Sequence, residues 1–201
     1  MLTSPPGHTA LTNAQFLLTE SALVAQSLLD GLTWADLRRS AREGHLFGPG
    51  KANSQLTVLG ALKTRLQDIP DEVLPELAHG TLEARQILML ALVTRQKPLV
   101  RAFISDVLLY KWQRLEVQVT DADARTFLTH QADQHPEMAQ WSPATMQKTR
   151  GNLTRFLLDA GLLKERRKGE FETVPQHLSA RLKAMVQQLD PPLFPLLEAL
   201  K

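Results

Sequence analysis

A dense run of basic residues is the part of this sequence best suited to binding a polyanion. Four of the five residues from 164 to 168 are basic, namely Lys164, Arg166, Arg167 and Lys168, and Gly169 follows them directly. Cations at this density repel one another unless solvent surrounds them or phosphate groups neutralise them. The run is therefore interpreted either as a phosphate-binding surface or as a charged turn that only keeps the chain soluble.

A helix that begins at Ser142 supplies a second set of groups that could bind a nucleic acid. Ser142 followed by Pro143 is typical of an N-cap and a first helical residue. Hydroxyl, amide and ammonium groups on the early polar side of this helix can hydrogen-bond phosphates or base edges, although they would also suit a solvated face. The candidates are Ser142, Thr145, Lys148, Thr149 and Asn152. Residues 142–168 contain seven basic and two acidic residues, an excess of five positive charges.

The first half of the chain contains a weaker candidate of the same kind. Six basic residues oppose one acid between positions 38 and 65. The residues that could contact DNA there are Arg38, Arg39, Lys51, Asn53 and Ser54. Arginines on a surface helix need no ligand, and the Gly-Pro-Gly segment at 48–50 is longer and looser than the usual helix-turn-helix corner. A solvated surface is therefore the favoured interpretation of this region.

Catalytic and metal-binding signals are weak. The chain has no cysteine, and its six histidines are scattered, the closest pair being five residues apart. Such a pair does not stack two imidazoles on one helical face. The sequence contains no phosphate loop, dinucleotide fingerprint or nucleophile elbow, and Asp121 and Asp123 stand where carboxylates cap a helix. We therefore expect no enzymatic activity, no metal and no cofactor.

Composition and charge predict a folded cytoplasmic protein. Hydrophobic residues make up 43% of the 201 positions, the charged fraction is 22%, and the net charge is +2. The lack of cysteine suits a reducing compartment. The first residues lack the basic and apolar regions of a signal peptide, and the apolar stretch at 86–94 is far shorter than the roughly 20 residues of a spanning helix. A buried helix and no membrane contact are expected.

The periodicity of apolar residues predicts a mainly all-α fold with two small helical domains. We expect a disordered lead-in at 1–12, an N-terminal helical domain with a possible helix-turn-helix at 13–118, and a C-terminal domain with a proline-rich tail at 119–201. In the C-terminal domain, the order of helix, turn, N-capped helix and basic hairpin is that of a winged helix-turn-helix. The hairpin is predicted to pair residues 162–166 with 170–174 across Lys168-Gly169.

Three segments in a fixed order resemble the BrxA family of BREX bacteriophage-exclusion systems. They are "QFLLTESALVAQSLLDGLTWADLRRSAREGHLF", "LKTRL" and "PEMAQWSPATMQKTRGNLTRFLLDAGLL", and the resemblance covers roughly residues 15–185. It rests on structural rather than catalytic residues, among them Glu20-Ser21, Trp141-Ser142 and Thr145. The family's motif also matches Arg65-Leu66, but the helix before it departs from the family pattern, which has a serine and several arginines there.

The resemblance implies a small helical accessory protein of a phage-defence operon. Such a protein would be cytoplasmic and would bind double-stranded DNA through helix-turn-helix elements, with other BREX proteins as further partners. It would be neither the methyltransferase nor the ATPase of the system. Two alternatives remain open at this point: a protein-interaction adaptor within the defence complex, and an RNA-binding helical module.

Overall fold

The computed structural model describes residues 8–12 and 15–201, and it shows a mainly helical chain with one small sheet. The predicted fold class is therefore confirmed. In chain order the elements are α1 (Leu18–Leu29), α2 (Trp34–Arg42), α3 (Ala52–Leu66), α4 (Val73–His79), α5 (Leu82–Gln96), α6 (Pro98–Phe103), a π-helical segment (Ile104–Leu109), α7 (Tyr110–Gln113), β1 (Gln118–Thr120), α8 (Asp121–Gln134), α9 (Pro136–Ala139), α10 (Pro143–Asp159), β2 (Leu163–Arg167), β3 (Glu170–Thr173), α11 (Ala180–Leu189) and α12 (Phe194–Ala199). Within the described ranges, no helix is both long enough and apolar enough to cross a membrane.

Side-chain caps fix the starts of α8 and α10. The Thr120 hydroxyl accepts a hydrogen bond from the Asp123 N–H at 3.3 Å, and the Asp123 carboxylate accepts one from the Thr120 N–H at 2.7 Å. At α10 the Ser142 hydroxyl accepts from the Thr145 N–H at 3.2 Å, and Pro143 takes the first helical position. These bonds satisfy N–H groups that the first turn of a helix leaves unpaired. The helix starts predicted at Thr120 and Ser142 are confirmed.

The predicted hairpin is present and gains a third strand. β3 pairs antiparallel with both neighbours, so the strand order is β1–β3–β2. The turn is Lys168-Gly169, and Gly169 has φ +78°, a left-handed conformation that favours glycine. The Gly169 carbonyl accepts a hydrogen bond from the Asp121 N–H at 3.1 Å, which ties the turn to the start of α8. Pairing of β1 with β3 links the hairpin to the segment that precedes α8.

The core is centred on α5. All of its residues from 87 to 94 are buried, and α1, α3, α4, α6 and α11 pack around it. The buried helix predicted at this apolar stretch is confirmed. α10 packs on α8, α6 and β2, and one apolar cluster continues from the first half of the chain into the second. The division into domains near residue 119 stays a prediction.

Segments near both ends of the described chain are packed. Residues 1–7 of the predicted lead-in lie outside the described residues, but Leu11 is fully buried and both of its backbone groups bond to α10. At the other end, the proline-rich tail forms α12, and Leu193, Leu197 and Leu200 are fully buried. Residues 8–12 of the predicted lead-in are thus in contact with α10, which their local composition does not predict because the partner groups lie far away in the sequence.

The helix predicted from Pro98 onward is not α-helical throughout. Residues Ile104–Leu109 form a π-helical segment between α6 and α7, with Ile104, Val107 and Leu108 buried. α8 and α12 both pack against this segment. A π-helical segment changes the phase of the side chains relative to an α-helix, so it lets one continuous helical stretch face two neighbours.

Candidate nucleic-acid interface

The basic hairpin, residues 163–173, presents its cations to solvent and its apolar residues to the core. The exposed cations are Lys164, Arg166, Arg167 and Lys168, and the buried residues are Leu163, Phe171 and Thr173. The pairing register shifts between Glu165 and Arg167. Such a bulge breaks the strict alternation of faces along a strand, which allows consecutive cations to remain exposed. The hairpin is thus anchored on one side and free to meet a ligand on the other.

An ion pair on the hairpin partly neutralises one of these cations. The Arg166 guanidinium donates to the Glu172 carboxylate on the neighbouring strand. This hydrogen bond raises the pKa of Arg166 and lowers the pKa of Glu172, and the nearby charge of Lys164 lowers the pKa of Glu172 further. Within the described part of the chain, Arg167 and Lys168 form no ion pair. Among the four exposed cations of the hairpin, Arg166 is therefore the one whose charge an ion pair partly neutralises.

Two hydroxyl groups at the start of α10 are hydrogen-bonded to each other. The oxygen atoms of the Ser142 and Thr145 hydroxyls are 3.0 Å apart, and Ser142 is exposed. Both oxygens have remaining hydrogen-bonding capacity, since each hydroxyl has one donor and two acceptor positions. The partial positive charge at a helix N-terminus favours a phosphate at the same place. The sequence prediction that these two residues lie at an accessible helix start agrees with the geometry.

Thr149 and Asn152 lie on a different side of α10, underneath the N-terminal segment. The Leu11 N–H donates to the Thr149 hydroxyl at 3.2 Å, and the Asn152 amide donates to the Leu11 carbonyl. Thr149 is fully buried. While residues 8–12 are docked, Thr149 is closed to DNA, whereas Asn152 is half-buried and retains its second amide N–H. The physical reason is that the polar groups of this helix face pair with a backbone segment 138 or more residues earlier in the chain.

Lys148 is exposed and lines a cleft between α10 and α3, together with Ser54 from the first-half candidate group. The structure therefore brings residues of both predicted groups to the same cleft, Asn152 being the third of them. Lys51 and Asn53 lie beside Ser54 at the start of α3 and are exposed. The two predicted contact regions are closer in space than the separation of 94 positions from Ser54 to Lys148 suggests.

The arginines of α2 differ in their availability. Arg39 pairs with Asp36, which also belongs to the capping box that starts the helix. Hydrogen bonds from the side chain and backbone of Thr33 lower the pKa of Asp36, and the charge of Arg39 adds to this effect. Arg38 is exposed and forms no ion pair within the described residues. Of the two, Arg38 is the better placed to meet an external anion.

Two further cations line the cleft, Lys97 and Arg65, and neither is among the predicted contact residues, although Arg65 belongs to the motif Arg65-Leu66. Arg65 is 11 residues after Ser54 on α3, a spacing of about three helical turns that places both on one face. That spacing could have identified Arg65 as part of the same surface. Lys97 lies between α5 and α6, and its sequence context carries no signal that would place it there.

Metal chemistry finds no support in the described ranges, which contain no group of three or more histidine, aspartate or glutamate side chains placed to hold an ion. The described residues of the candidate interface carry basic, hydroxyl or amide side chains and are not arranged as acid–base pairs. This set of groups suits the binding of anions more than it suits proton transfer.

Comparison with known proteins gives a consistent family relationship. The sequence profile of the BrxA family matches residues 8–190. Among curated proteins, the BREX protein BrxA of Bacillus cereus (strain H3081.97) is 24% identical over 151 residues, which cover 75% of this chain and 76% of the relative. The BREX protein BrxA of Escherichia coli O9:H4 (strain HS) is 22% identical over 183 residues, covering 89% of this chain and 83% of the relative.

A solved structure supports the fold. The crystal structure of an uncharacterized protein from Magnetospirillum magneticum superposes with a TM-score of 0.74 at 16% identity and covers 95% of this chain and 97% of the other. At this identity the likeness concerns the fold alone. The profile match extends over nearly the whole described chain, and the protein belongs to the BrxA family.

Proposed function

We propose that this BrxA family member is a non-catalytic accessory protein of a BREX phage-defence system, and that it binds double-stranded DNA through α10 and the basic hairpin. The BREX assignment is supported by the two curated relatives, each named BREX protein BrxA. The DNA assignment is supported by the charge and placement of the basic hairpin. Other proteins of the system would be its partners.

The observation that carries the DNA proposal is the exposed, unpaired charge at the tip of the hairpin. Arg167 and Lys168 are exposed, and the turn beside them is held by the Gly169–Asp121 backbone hydrogen bond. A rigid tip with two free cations can meet adjacent phosphates without first losing conformational freedom. The order α8, α9, α10, β2, β3 is also that of a winged helix-turn-helix, in which the last helix enters the major groove.

The geometry suggests how the duplex would be held. The N-terminal turn of α10, with Ser142 and Thr145, would approach the backbone or the edge of the major groove. Lys164, Arg167 and Lys168 would contact phosphates, while Arg166 would contribute less because Glu172 already pairs with it. Most of the binding free energy would then be electrostatic and independent of base sequence.

A salt titration tests this proposal. The purified protein is titrated against duplex DNA, single-stranded DNA and RNA of equal length at several salt concentrations. We expect the duplex to bind most tightly and its affinity to fall steeply with salt, each phosphate contact adding about 0.9 to the log-log slope. Absence of duplex binding at low salt would exclude the proposal, and a preference for RNA would favour the alternative of an RNA-binding module.

The alternative of a protein-interaction adaptor is favoured by one specific feature, an apolar surface beside β1. Leu115 is 91% exposed, Tyr110 is 57% exposed and Val117 is 39% exposed. Large apolar side chains grouped on a surface are typical of sites that bind other proteins. The substitution Leu115→Ser is expected to weaken association with BREX proteins and to leave duplex binding unchanged, as measured by co-purification and by anisotropy. Unchanged co-purification would remove this surface from consideration.

A further inference from the structure

We propose that the cleft between α3 and α10 is an anion-binding site that takes a phosphate-bearing ligand of nucleotide size, contacted by Lys97 and Lys148 and attracted by the charge of the buried Arg65. The three cations come from α3, from the junction of α5 and α6, and from α10. All three line a single cleft of about 870 Å³. This site is separate from the basic hairpin, and the proposal does not depend on duplex binding there.

Arg65 is a buried cation without an acidic partner. The residue is about 5% exposed, and its two terminal nitrogens donate to the carbonyls of Phe16 at 2.8 Å and Gln15 at 2.7 Å. Its third nitrogen, Nε, is buried and has no hydrogen-bond partner within the described residues. Burial lowers the pKa of Arg65 to about 10, which still leaves the group charged at pH 7. A buried charge that only neutral groups surround is costly, and a nearby anion reduces that cost.

Lys97 extends the same positive region. Burial lowers the pKa of Lys97, and repulsion from the charge of Arg65 lowers it further. The Lys97 ammonium donates to the Thr9 hydroxyl at 3.1 Å and forms no ion pair within the described part of the chain. Two mutually repelling cations in one cleft are stabilised together by a multiply charged anion.

Among the described residues, no acid forms an ion pair with Arg65, Lys97 or Lys148. The described residues that line the cleft include no aspartate or glutamate. The residues outside the described ranges, 1–7 and 13–14, contain none either, so they cannot supply the missing counter-charge. The positive charge of the cleft is therefore available to a ligand from solution.

The neutral groups of the cleft suit phosphate oxygens. Ser54 on α3 and Asn152 on α10, which keeps its second amide N–H, line it together with the cations, whereas the Thr57 hydroxyl there already donates to the Asn53 carbonyl. Hydroxyl and amide donors combined with lysine and arginine are the usual ligands of phosphate groups. The cleft volume falls within the range of about 300 to 1,000 Å³ that small-molecule sites occupy, so there is room for a nucleotide as well as for its phosphates.

The first experiment uses inorganic pyrophosphate as the probe, titrated calorimetrically into the full chain at low salt. The test variants are Lys97→Gln and Lys148→Gln, which remove a cleft charge but leave the Arg65 hydrogen bonds in place. The matched control is Lys63→Gln, which removes one exposed charge from α3 outside the cleft. Since a charge-assisted hydrogen bond is lost, we expect each test variant to bind pyrophosphate about ten- to a hundredfold more weakly than wild type. The control should bind like wild type.

Two results would overturn the proposal: no pyrophosphate binding by the wild-type protein at millimolar concentration, or an equal loss in the test and control variants. A competition experiment then identifies the source of the phosphate. If the cleft takes a phosphate of a nucleic-acid strand, saturating pyrophosphate displaces a labelled duplex; if it takes a free nucleotide, duplex affinity stays the same. Failure of the hairpin variants to weaken duplex binding would contradict the proposed function and leave the cleft site unaffected.

Discussion

The double substitution Arg167→Ala/Lys168→Ala is the sharpest perturbation of the basic hairpin. Both side chains are exposed and neither forms an ion pair within the described residues, so their removal breaks no internal contact of that kind. The strand pairing and the conformation of Gly169 involve backbone groups that the substitutions leave intact. The folded structure should therefore persist, and any change in duplex binding reports on the contacts of these two side chains.

The size of the effect follows from counterion release. Each lost phosphate contact lowers the log-log salt slope by about 0.9, so two contacts lower it by about 1.8. At a salt concentration of about 0.1 M each contact then accounts for about 0.9 log unit of the association constant, which is roughly eightfold. The double variant is expected to bind duplex DNA about 60-fold more weakly than wild type at that salt concentration, and the difference should shrink as salt rises.

Fluorescence anisotropy with a labelled duplex, repeated at salt concentrations from about 50 to 200 mM, measures both quantities. The matched control is Lys63→Ala/Arg95→Ala, which removes two exposed cations from α3 and α5 and brings the net charge from +2 to 0, as the hairpin variant does. A control that loses as much affinity as the hairpin variant would refute the reasoning, because net charge rather than position would then explain the effect. An unchanged slope in the hairpin variant would refute it as well.

Three further predictions concern the ion pair on the hairpin and the N-terminal segment. Arg166→Ala leaves the Glu172 carboxylate without its partner, so it should weaken duplex binding more than Arg166→Ala/Glu172→Ala does in the same anisotropy assay; equal losses would contradict this. Leu11→Ala removes a fully buried side chain and should lower the free energy of unfolding by about 2 to 5 kcal/mol in urea denaturation, whereas a change below about 1 kcal/mol would show that the segment is not packed. Burial, and then repulsion from His135, lower the pKa of His8 below 6.5. The unfolded chain therefore binds this proton more tightly than the folded chain does, and the free energy of unfolding should fall as the pH drops below about 6.5. The substitution His8→Gln should reduce that loss. A variant whose unfolding free energy depends on pH as that of the wild type does would contradict the assignment.

Local signals made much of the fold predictable. The caps at Thr120 and Ser142 and the turn at Gly169 each depend on residues within a few positions of one another. The apolar content of α5 likewise predicted its burial. Propensity, capping and turn chemistry act over short distances, so the sequence displays them directly.

Contacts between distant segments could not be predicted in the same way. Thr149 and Asn152 fall on the polar side of α10 by sequence, yet they bind Leu11 from the other end of the chain. Lys97 reaches the cleft only because α5, α6 and α3 pack as they do. A polar side chain has the same appearance in sequence whether its partner is solvent, a ligand or a remote backbone group.

Amide hydrogen exchange of the whole chain, with and without duplex DNA, tests the central claim most directly because it locates the contact. We predict that the duplex slows exchange in β2, β3 and their turn and in the first turn of α10, while amides of α5 show no change. Two results would contradict the claim that this protein holds DNA with α10 and the basic hairpin. One is slowed exchange confined to the surface around Leu115, and the other is unchanged exchange throughout the chain at duplex concentrations well above the Kd.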